Sequence, residues 1–177
     1  DYVIMDLFDE PLPQYVHLLS ETVKLIHQVA PEWRFTYAGD YYCPELADTI
    51  KFWGHVMPRL TPNTKADMLA TGGEISVYNP HGYSDNESAL HQRGSYIWLW
   101  NNNIRYIYQW VVNCWSDIGQ DGWDYYRCAS WVVPGKDGMP LGTLRLESTR
   151  NGIEDFEYLS LLRECSNYYK DRDPFLY

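Results

Sequence analysis

The sequence predicts a mixed α/β fold built around a parallel β-sheet. Residues 2–8 form a strand-like apolar run, and residues 14–30 carry apolar side chains at helical spacing. Residues 33–38 are again aromatic and β-branched, and a second helix is predicted over residues 44–57. Strands and helices that alternate about every 30 residues are typical of βαβ units, in which the strands run parallel.

Proline and glycine set the boundaries of these first elements. Asp9-Glu10-Pro11 ends the first strand, and Pro13 suits the first turn of the helix that follows, which stops at Pro31. Gly39-Asp40 closes the second strand. The second helix is predicted to end before Pro58, and its apolar face consists of Leu46, Ile50, Trp53 and Met57.

The middle of the chain is less regular and predicts shorter elements. Residues 67–70 and residues 74–78 are predicted as strands on either side of a Gly-Gly turn. A helix is predicted over residues 88–100, and a strand over residues 104–113 follows it. The order of these elements continues the alternation of strand and helix.

The last part of the chain combines a long loop with a helix. The glycine-rich residues 119–142 predict a loop with short β pieces around residues 131–133, and loops of this length are often functional. A final helix is predicted over residues 152–165, because Asn151 and Glu154 have the spacing of a capping box. Its apolar positions lie close to one face of the helix.

Composition and charge exclude several classes of protein. Apolar residues make up 45% of the 177 residues and charged residues 21%, which are ordinary values for a globular protein. No apolar run approaches the roughly 18 residues that a membrane span needs. The net charge of −10 and the lack of a basic cluster argue against a nucleic-acid partner, since such binding requires cations that neutralise phosphates.

The cysteines and histidines do not form a metal motif. No CxxC or HxxxH pair is present, so we predict no metal and no cofactor. The cysteines are predicted to be mostly buried free thiols, although their even number permits two disulfides. The residues concerned are Cys43, Cys114, Cys128, Cys165, His17, His27, His55, His81 and His91.

Aromatic residues make up 16% of the chain and include 16 tyrosines and 8 tryptophans. Both side chains combine a flat apolar face with a polar tip. That chemistry suits a sugar, whose C–H faces stack on rings while its hydroxyl groups form hydrogen bonds. A tyrosine-rich core or a protein interface would have the same composition.

Asp9 and Glu10 are the leading catalytic candidates, because reactive groups in parallel α/β folds lie at the carboxyl ends of strands. Neighbouring strand residues point to opposite faces, so both acids can reach one pocket only if the strand bends or bulges after Phe8. Pro11 supports such a break. The alternative is that Asp9 caps the following helix and Glu10 is solvated near its positive end.

Four segments together resemble the carboxyl-terminal half of the catalytic domain of glycoside hydrolase family 123, the β-N-acetylgalactosaminidases. They are Asp9-Glu10-Pro11, residues 110–115 (WVVNCW), residues 131–140 (WVVPGKDGMP) and residues 144–159 (LRLESTRNGIEDFEYL). The resemblance implies a (β/α)₈ TIM-like barrel, of which this chain supplies about the second half. It also implies association with a missing N-terminal part of the same protein.

The resemblance further implies hydrolysis of a glycan with retention of configuration and with help from the substrate. The substrate is an oligosaccharide or glycan with a terminal β-linked N-acetylhexosamine, N-acetylgalactosamine foremost. Glu10 acts as general acid and then as base, while Asp9 orients the acetamido group. Sugar contacts are expected from Trp115 and Asn113, from Trp110 unless it packs in the core, and from Tyr78, which would hold the acetamido group.

We expect residues 1–117 to form barrel strands and helices, residues 118–143 a long loop and residues 144–177 a terminal helical region. Arg145, Glu147 and Arg150 are expected to form an ion-pair network on the last helix rather than to bind substrate, and Asp6 is expected to face the barrel interior. A secreted, periplasmic or cell-surface location is expected, with any signal upstream. Two rival functions are an inactive carbohydrate-binding or structural relative and a two-carboxylate glycosidase that acts on sugars without an acetamido group.

Overall fold

The structure is a computed structural model that describes residues 4–39, 41–78, 89–109, 131–170 and 172. Among these residues, no helix combines the length and the apolar character that crossing a membrane requires. The predicted strand over residues 104–113 is described only as far as residue 109, and the predicted loop only from residue 131.

The chain forms two compact units. The first unit comprises residues 1–80 and 104–110, and the second comprises residues 81–103 and 111–177. Residues 81–103 interrupt the first unit in sequence. As a result, the chain passes through a helix of the second unit before it returns to the last strand of the first unit.

A five-stranded parallel sheet forms the centre of the first unit. Its strands lie side by side in chain order: β1 (Ile4–Asp9), β2 (Arg34–Gly39), β3 (Phe52–Val56), β4 (Glu74–Tyr78) and β5 (Tyr106–Tyr108). Helix α1 (Val16–His27) connects β1 to β2, and helix α2 (Pro62–Ala70) connects β3 to β4. The sheet is curled, so the α/β prediction is confirmed and the strands form part of a barrel.

The two faces of this sheet have different chemistry. The outer face carries the buried side chains of Phe35, Tyr37 and Trp53, and the ring of His27 from α1 lies 5.2 Å from that of Phe35. Because side chains alternate along a pleated strand, the residues directly before and after these three in sequence belong to the opposite, inner face. The inner face carries polar side chains on either side of β3, which are Asp6, Thr36, Ser76, Tyr78 and Tyr108, while β3 itself contributes Phe52 and Gly54.

The predicted helix over residues 44–57 is wrong. Residues Pro44–Leu46 form one turn of 3₁₀ helix, and Phe52–Val56 form the central strand β3. Phe52 and Trp53 are buried on opposite faces of the sheet, as expected for a strand that has a parallel neighbour on each side. Gly54 also disfavours a helix here. The apolar residues therefore have helical spacing by coincidence, because Leu46 and Ile50 are buried before β3 begins and Trp53 belongs to the strand itself.

The predicted strand over residues 67–70 is also wrong, because these residues end helix α2. Thr61 is the N-cap, and its side-chain oxygen accepts a hydrogen bond from the backbone N–H of Thr64 at 3.1 Å. Pro62 follows in the first turn, where its missing N–H is not needed. Met68 is the buried residue of this helix. One buried position does not produce the repeat of apolar residues every three or four positions by which a helix is recognised in a sequence.

The second unit contains two helices and a hairpin. Helix α3 (Ala89–Asn101) confirms the helix predicted over residues 88–100. Strands β6 (Val132–Pro134) and β7 (Pro140–Gly142) pair antiparallel, close to the β pieces predicted there. Helix α4 (Leu144–Lys170) packs along α3.

Helix α4 begins earlier than the capping-box spacing predicted. Asn151 lies inside the helix, and the backbone N–H of Leu146 instead donates to the Thr143 hydroxyl at 3.4 Å. The Asn151 capping box is therefore wrong. Gly152 is buried where the ring of Tyr96 from α3 meets the helix backbone, and a Cβ at this position would overlap that ring.

Two glycine-to-alanine substitutions in these helices should have opposite effects on stability. Alanine favours a helix interior over glycine by about 1 kcal/mol. Gly94→Ala should raise the free energy of unfolding by about that amount, because its Cβ would meet nothing within 4 Å. Gly152→Ala should lower the free energy of unfolding by about 1–3 kcal/mol, because the added methyl group overpacks the contact with Tyr96. Urea denaturation measures both values, and equal shifts in the same direction would contradict this packing.

Candidate functional site

Strand β1 ends in a bulge directly before the acid pair. Asp6 pairs with Thr36 and Asp9 pairs with Ala38, so three steps along β1 match two steps along β2. This is the extra residue of a β-bulge, which breaks the alternation of side chains and bends the strand. The register is therefore broken between Asp6 and Asp9, an interval that includes the position after Phe8 where the sequence analysis required a bend.

Glu10 has an unusual backbone conformation. Its φ of 42° lies in the left-handed region, which non-glycine residues rarely adopt and which costs about 1–3 kcal/mol. A hydrogen bond from the Glu10 N–H to the carbonyl oxygen of Ala38, at 3.0 Å, holds this conformation. The side chains of Asp9 and Glu10 are both exposed. The chain thus turns out of the sheet between the two acids and presents both carboxylates to solvent.

The alternative role of Asp9 as a helix cap is not found. The 3₁₀ turn Pro13–Tyr15 has Leu12 at its N-cap position, and no side chain caps it. Helix α1 starts after Tyr15, also without a side-chain cap. Asp9 therefore lies outside the capping position of either element.

The inner face of the sheet carries several hydroxyl groups. Burial raises the pKa of Tyr108, the nearby Thr36 side chain partly opposes that rise, and the negative charge of Asp6 adds to it. Asp6 belongs to this face by its register, as expected, and its side chain is exposed. Ser76 is fully buried, and its Oγ has no hydrogen-bond partner among the described residues. This face can supply hydroxyl donors and acceptors to a polar ligand.

Tyr78 occupies the carboxyl end of β4 but is not adjacent to the acid pair in the sheet. It is 8% exposed and pairs in register with Val56 and Tyr108. Three strand spacings separate β4 from β1, which corresponds to about 14 Å measured along the sheet. Tyr78 can therefore reach the same ligand as the acids only across the concave side.

The other predicted sugar contacts, Trp110, Asn113 and Trp115, lie outside the described residues.

On α4, Arg150 pairs with Glu147 at 2.6 Å and with Glu154 at 3.8 Å. These side chains lie on the exposed surface of the helix, where ion pairs stabilise a protein by less than about 1 kcal/mol. The pairing of Arg150 with Glu147 agrees with the predicted ion-pair network.

Sequence analysis missed two residues that fix the loops around the acids. The Tyr41 hydroxyl donates to the carbonyl oxygen of Pro11, the residue after Glu10, at 2.9 Å. His55 is buried in β3, and its Nδ1 lies 2.8 Å from the Gly39 oxygen while its Nε2 lies 3.2 Å from the Arg59 oxygen. His55 thereby ties the carboxyl end of β2 to the turn after β3. A histidine inside an otherwise apolar strand was the available signal.

The cysteines differ from the expectation in part. Among the described residues, Cys43 is a buried free thiol as predicted, whereas Cys165 is free but exposed. In the same part of the chain, no group of His, Cys, Asp and Glu side chains could hold a metal ion. Cys165 is exposed because it lies on the solvent side of α4. Cys114 and Cys128 lie outside the described residues. The Cys43 Sγ donates to Glu45 at 3.0 Å, and burial, with help from this carboxylate, raises the pKa of Cys43 to about 12.

Comparison with known proteins identifies a family and a fold. A family model described as "Glycoside hydrolase 123, catalytic domain" matches residues 1–162. A solved family 123 glycoside hydrolase from Clostridium perfringens, described in terms of the details of glycolipid glycan hydrolysis, is similar with a TM-score of 0.65 at 14% sequence identity. The match covers 96% of this chain and 32% of that chain, so this chain spans about a third of its relative's length. The comparison with curated proteins finds no match.

The raised pKa of Cys43 predicts a slow reaction with alkylating reagents. Because the thiolate is the reactive form, a pKa of about 12 leaves a fraction on the order of 10⁻⁴ reactive at pH 8. Timed labelling of the folded whole protein with iodoacetamide, read by peptide mass spectrometry, should modify exposed Cys165 well before buried Cys43. Glu45→Gln should lower the pKa of Cys43 and accelerate its labelling, whereas Glu21→Gln should not. Equal labelling rates for the two cysteines would contradict the assignment.

Proposed function

Since the chain belongs to the glycoside hydrolase 123 family, we propose that it forms part of a glycosidase in which Asp9 and Glu10 are the catalytic acids. The observation that carries the proposal is the bulged end of β1, where Glu10 is held at a φ of 42°. Backbone strain of this kind concentrates at functional sites, because a structure maintains it only where something depends on it. Both carboxylates are exposed, as groups that meet a ligand must be.

The proposed reaction cleaves a terminal β-linked N-acetylhexosamine, N-acetylgalactosamine foremost, with retention of configuration. The carbonyl oxygen of the substrate's own acetamido group attacks the anomeric carbon and forms a cyclic oxazolinium ion. Glu10 donates its proton to the leaving oxygen as the glycosidic bond breaks. In the second step, the Glu10 carboxylate takes a proton from the water that opens the ring.

Asp9 has a different role in this mechanism. Its carboxylate accepts a hydrogen bond from the acetamido N–H, which orients the attacking oxygen and stabilises the positive charge that develops on the ring. The two roles require opposite protonation states at the start of the reaction, with Glu10 protonated and Asp9 ionised. The register shift before Asp9 supports this division because it breaks the alternation that would otherwise keep the two neighbouring acids from reaching one ligand.

The same proposal assigns the sugar contacts. Trp115 would stack on the sugar ring, Asn113 would bind a hydroxyl group and Trp110 would lie beside them. Tyr78 would hold the acetamido group from the concave side of the sheet, since it ends a strand on the inner face. Strands that complete the barrel would come from further sequence of the same protein, and the enzyme would be secreted or located in the periplasm or at the cell surface.

Substitution of the two acids tests the proposed function in the whole protein. Glu10→Gln and Asp9→Asn should each lower kcat/KM on aryl β-N-acetylgalactosaminide by more than about a hundredfold, because each removes a proton transfer or an oriented hydrogen bond. Glu21→Gln, which removes an exposed carboxylate from α1, should keep the parent rate. Parallel assays on β-N-acetylglucosaminide and β-galactoside define the sugar.

Three outcomes of these assays would count against the proposal. Cleavage of the plain galactoside as fast as the acetamido sugar would exclude participation by the substrate. If NMR shows that the product is first released as the inverted anomer, the two-step route is excluded. Sugar binding without any hydrolysis by the parent protein would identify it as an inactive relative.

A further inference from the structure

The carboxyl-terminal half of helix α4 presents large apolar side chains to solvent. They recur at intervals of three and four residues between Tyr158 and Tyr169, so they lie along one face of the helix. Tyr158 is 70% exposed and Leu162 is 65% exposed. We call this face the apolar stripe, and it consists of Tyr158, Leu161, Leu162, Cys165, Tyr168 and Tyr169.

Helix α3 packs on the opposite side of α4. Gly152 lies against the Tyr96 ring of α3, and Arg163 donates to the side-chain oxygen of Asn103, just after α3, at 2.7 Å. Since a helix turns by roughly 100° per residue, Gly152 and Arg163 point away from the apolar stripe. The packing of α4 on α3 therefore does not use the stripe.

The apolar stripe also continues past the domain that the family shares. The family model matches the chain up to residue 162, whereas Cys165, Tyr168 and Tyr169 follow in the same helix. Exposed apolar patches on folded proteins commonly mark interaction surfaces. The stripe is thus an interaction surface that the shared catalytic domain does not explain.

Opposite charges lie at the two ends of the stripe. Glu154 precedes Tyr158 by four residues and Arg172 follows Tyr168 by four, which places both charges on the face of the stripe. The Arg172 guanidinium lies 3.8 Å from the centre of the Tyr168 ring. A face with an acid at one end and a base at the other is complementary to a second copy of itself that runs in the opposite direction.

We propose that the apolar stripe of α4 pairs antiparallel with the same stripe of a second copy of this chain. About the two-fold axis, Tyr158 of each copy faces Tyr168 of the other, and each Glu154 meets Arg172 of the other copy. A parallel pair would instead bring like charges together. The inference is independent of the proposed function.

The size of the stripe sets the strength of this pairing. A tyrosine side chain can bury roughly 150–250 Å², so the exposed parts of the three tyrosines come to about 300–400 Å² per copy. Stable dimers bury about 800 Å² per partner. The net charge of −10 also opposes association of two copies. The dimer is therefore weak and depends on protein concentration.

Sedimentation equilibrium of the whole protein at concentrations up to about 1 mM tests the proposal. The parent should dimerise with a dissociation constant of about 10 μM or weaker. The double variant Leu161→Ser/Leu162→Ser should raise that constant by about tenfold or more, because it removes the apolar centre of the contact. Ile153→Ser is the matched control, since it also removes an exposed apolar side chain from α4 but lies outside the stripe. A parent that stays monomeric, or equal effects of the two variants, would overturn the proposal.

Charge reversal tests the antiparallel direction. Glu154→Arg and Arg172→Glu should each weaken the dimer by about tenfold at low salt, because the two-fold axis makes each change count twice. A mixture of these two variants should form a dimer of one copy of each, in which both pairs of opposite charges are restored. If the mixture associates no better than either variant alone, the antiparallel pairing is wrong.

The reactivity of Cys165 separates a second copy from other occupants of the stripe. In the dimer, Cys165 faces the other copy, so its rate of labelling by iodoacetamide should fall as the protein concentration passes the dissociation constant. Leu161→Ser/Leu162→Ser should shift this fall to higher concentration by the same factor as the dissociation constant. Protection of Cys165 at every concentration would show that further sequence of the same protein covers the stripe, and would overturn the proposal.

Discussion

The hydrogen bond from the Glu10 N–H to the Ala38 oxygen, at 3.0 Å, is the interaction on which the site depends. It closes the bulge of β1 and keeps Glu10 in a backbone region that opposes its own preference. Regular alternation would direct two neighbouring carboxylates to opposite faces, and the register shift between Asp6 and Asp9 interrupts it. This backbone contact therefore anchors the segment that carries the two acids to the next strand.

The surrounding structure keeps that contact in place. Ala38 belongs to β2, whose carboxyl end His55 ties to the turn after β3, and Tyr41 holds the segment that follows Glu10. These bonds join the ends of three consecutive parallel strands at one edge of the sheet. Ligand-binding groups in parallel sheets lie at the carboxyl ends of the strands, because the loops that follow the strands can vary in sequence without disturbing the sheet. The outer face, packed with aromatic side chains, supplies the rigid support that such loops need.

Sequence reasoning found the elements whose period is simple. Strands β1, β2 and β4 and helices α1 and α3 follow from apolar spacing and from the prolines and glycines that bound them. It failed at β3, where Trp53 and Phe52 are buried on opposite faces and so lack the alternation of a half-buried strand. It also failed at α2, where Met68 alone gives the buried side. The break in the strand before the acids was predictable from Pro11 and strand geometry, but the bond between Tyr41 and Pro11 joins residues 30 positions apart and leaves no local trace.

The positive φ of Glu10 also bears on how this chain would change over evolutionary time. Glycine adopts that backbone region without strain, and asparagine tolerates it better than glutamate does. In a lineage released from the need for an acid, replacement of Glu10 by either residue would stabilise the fold, so drift and stability would act in the same direction. The residue at this one position would then distinguish descendants that retain the proposed acid from those that keep only the scaffold.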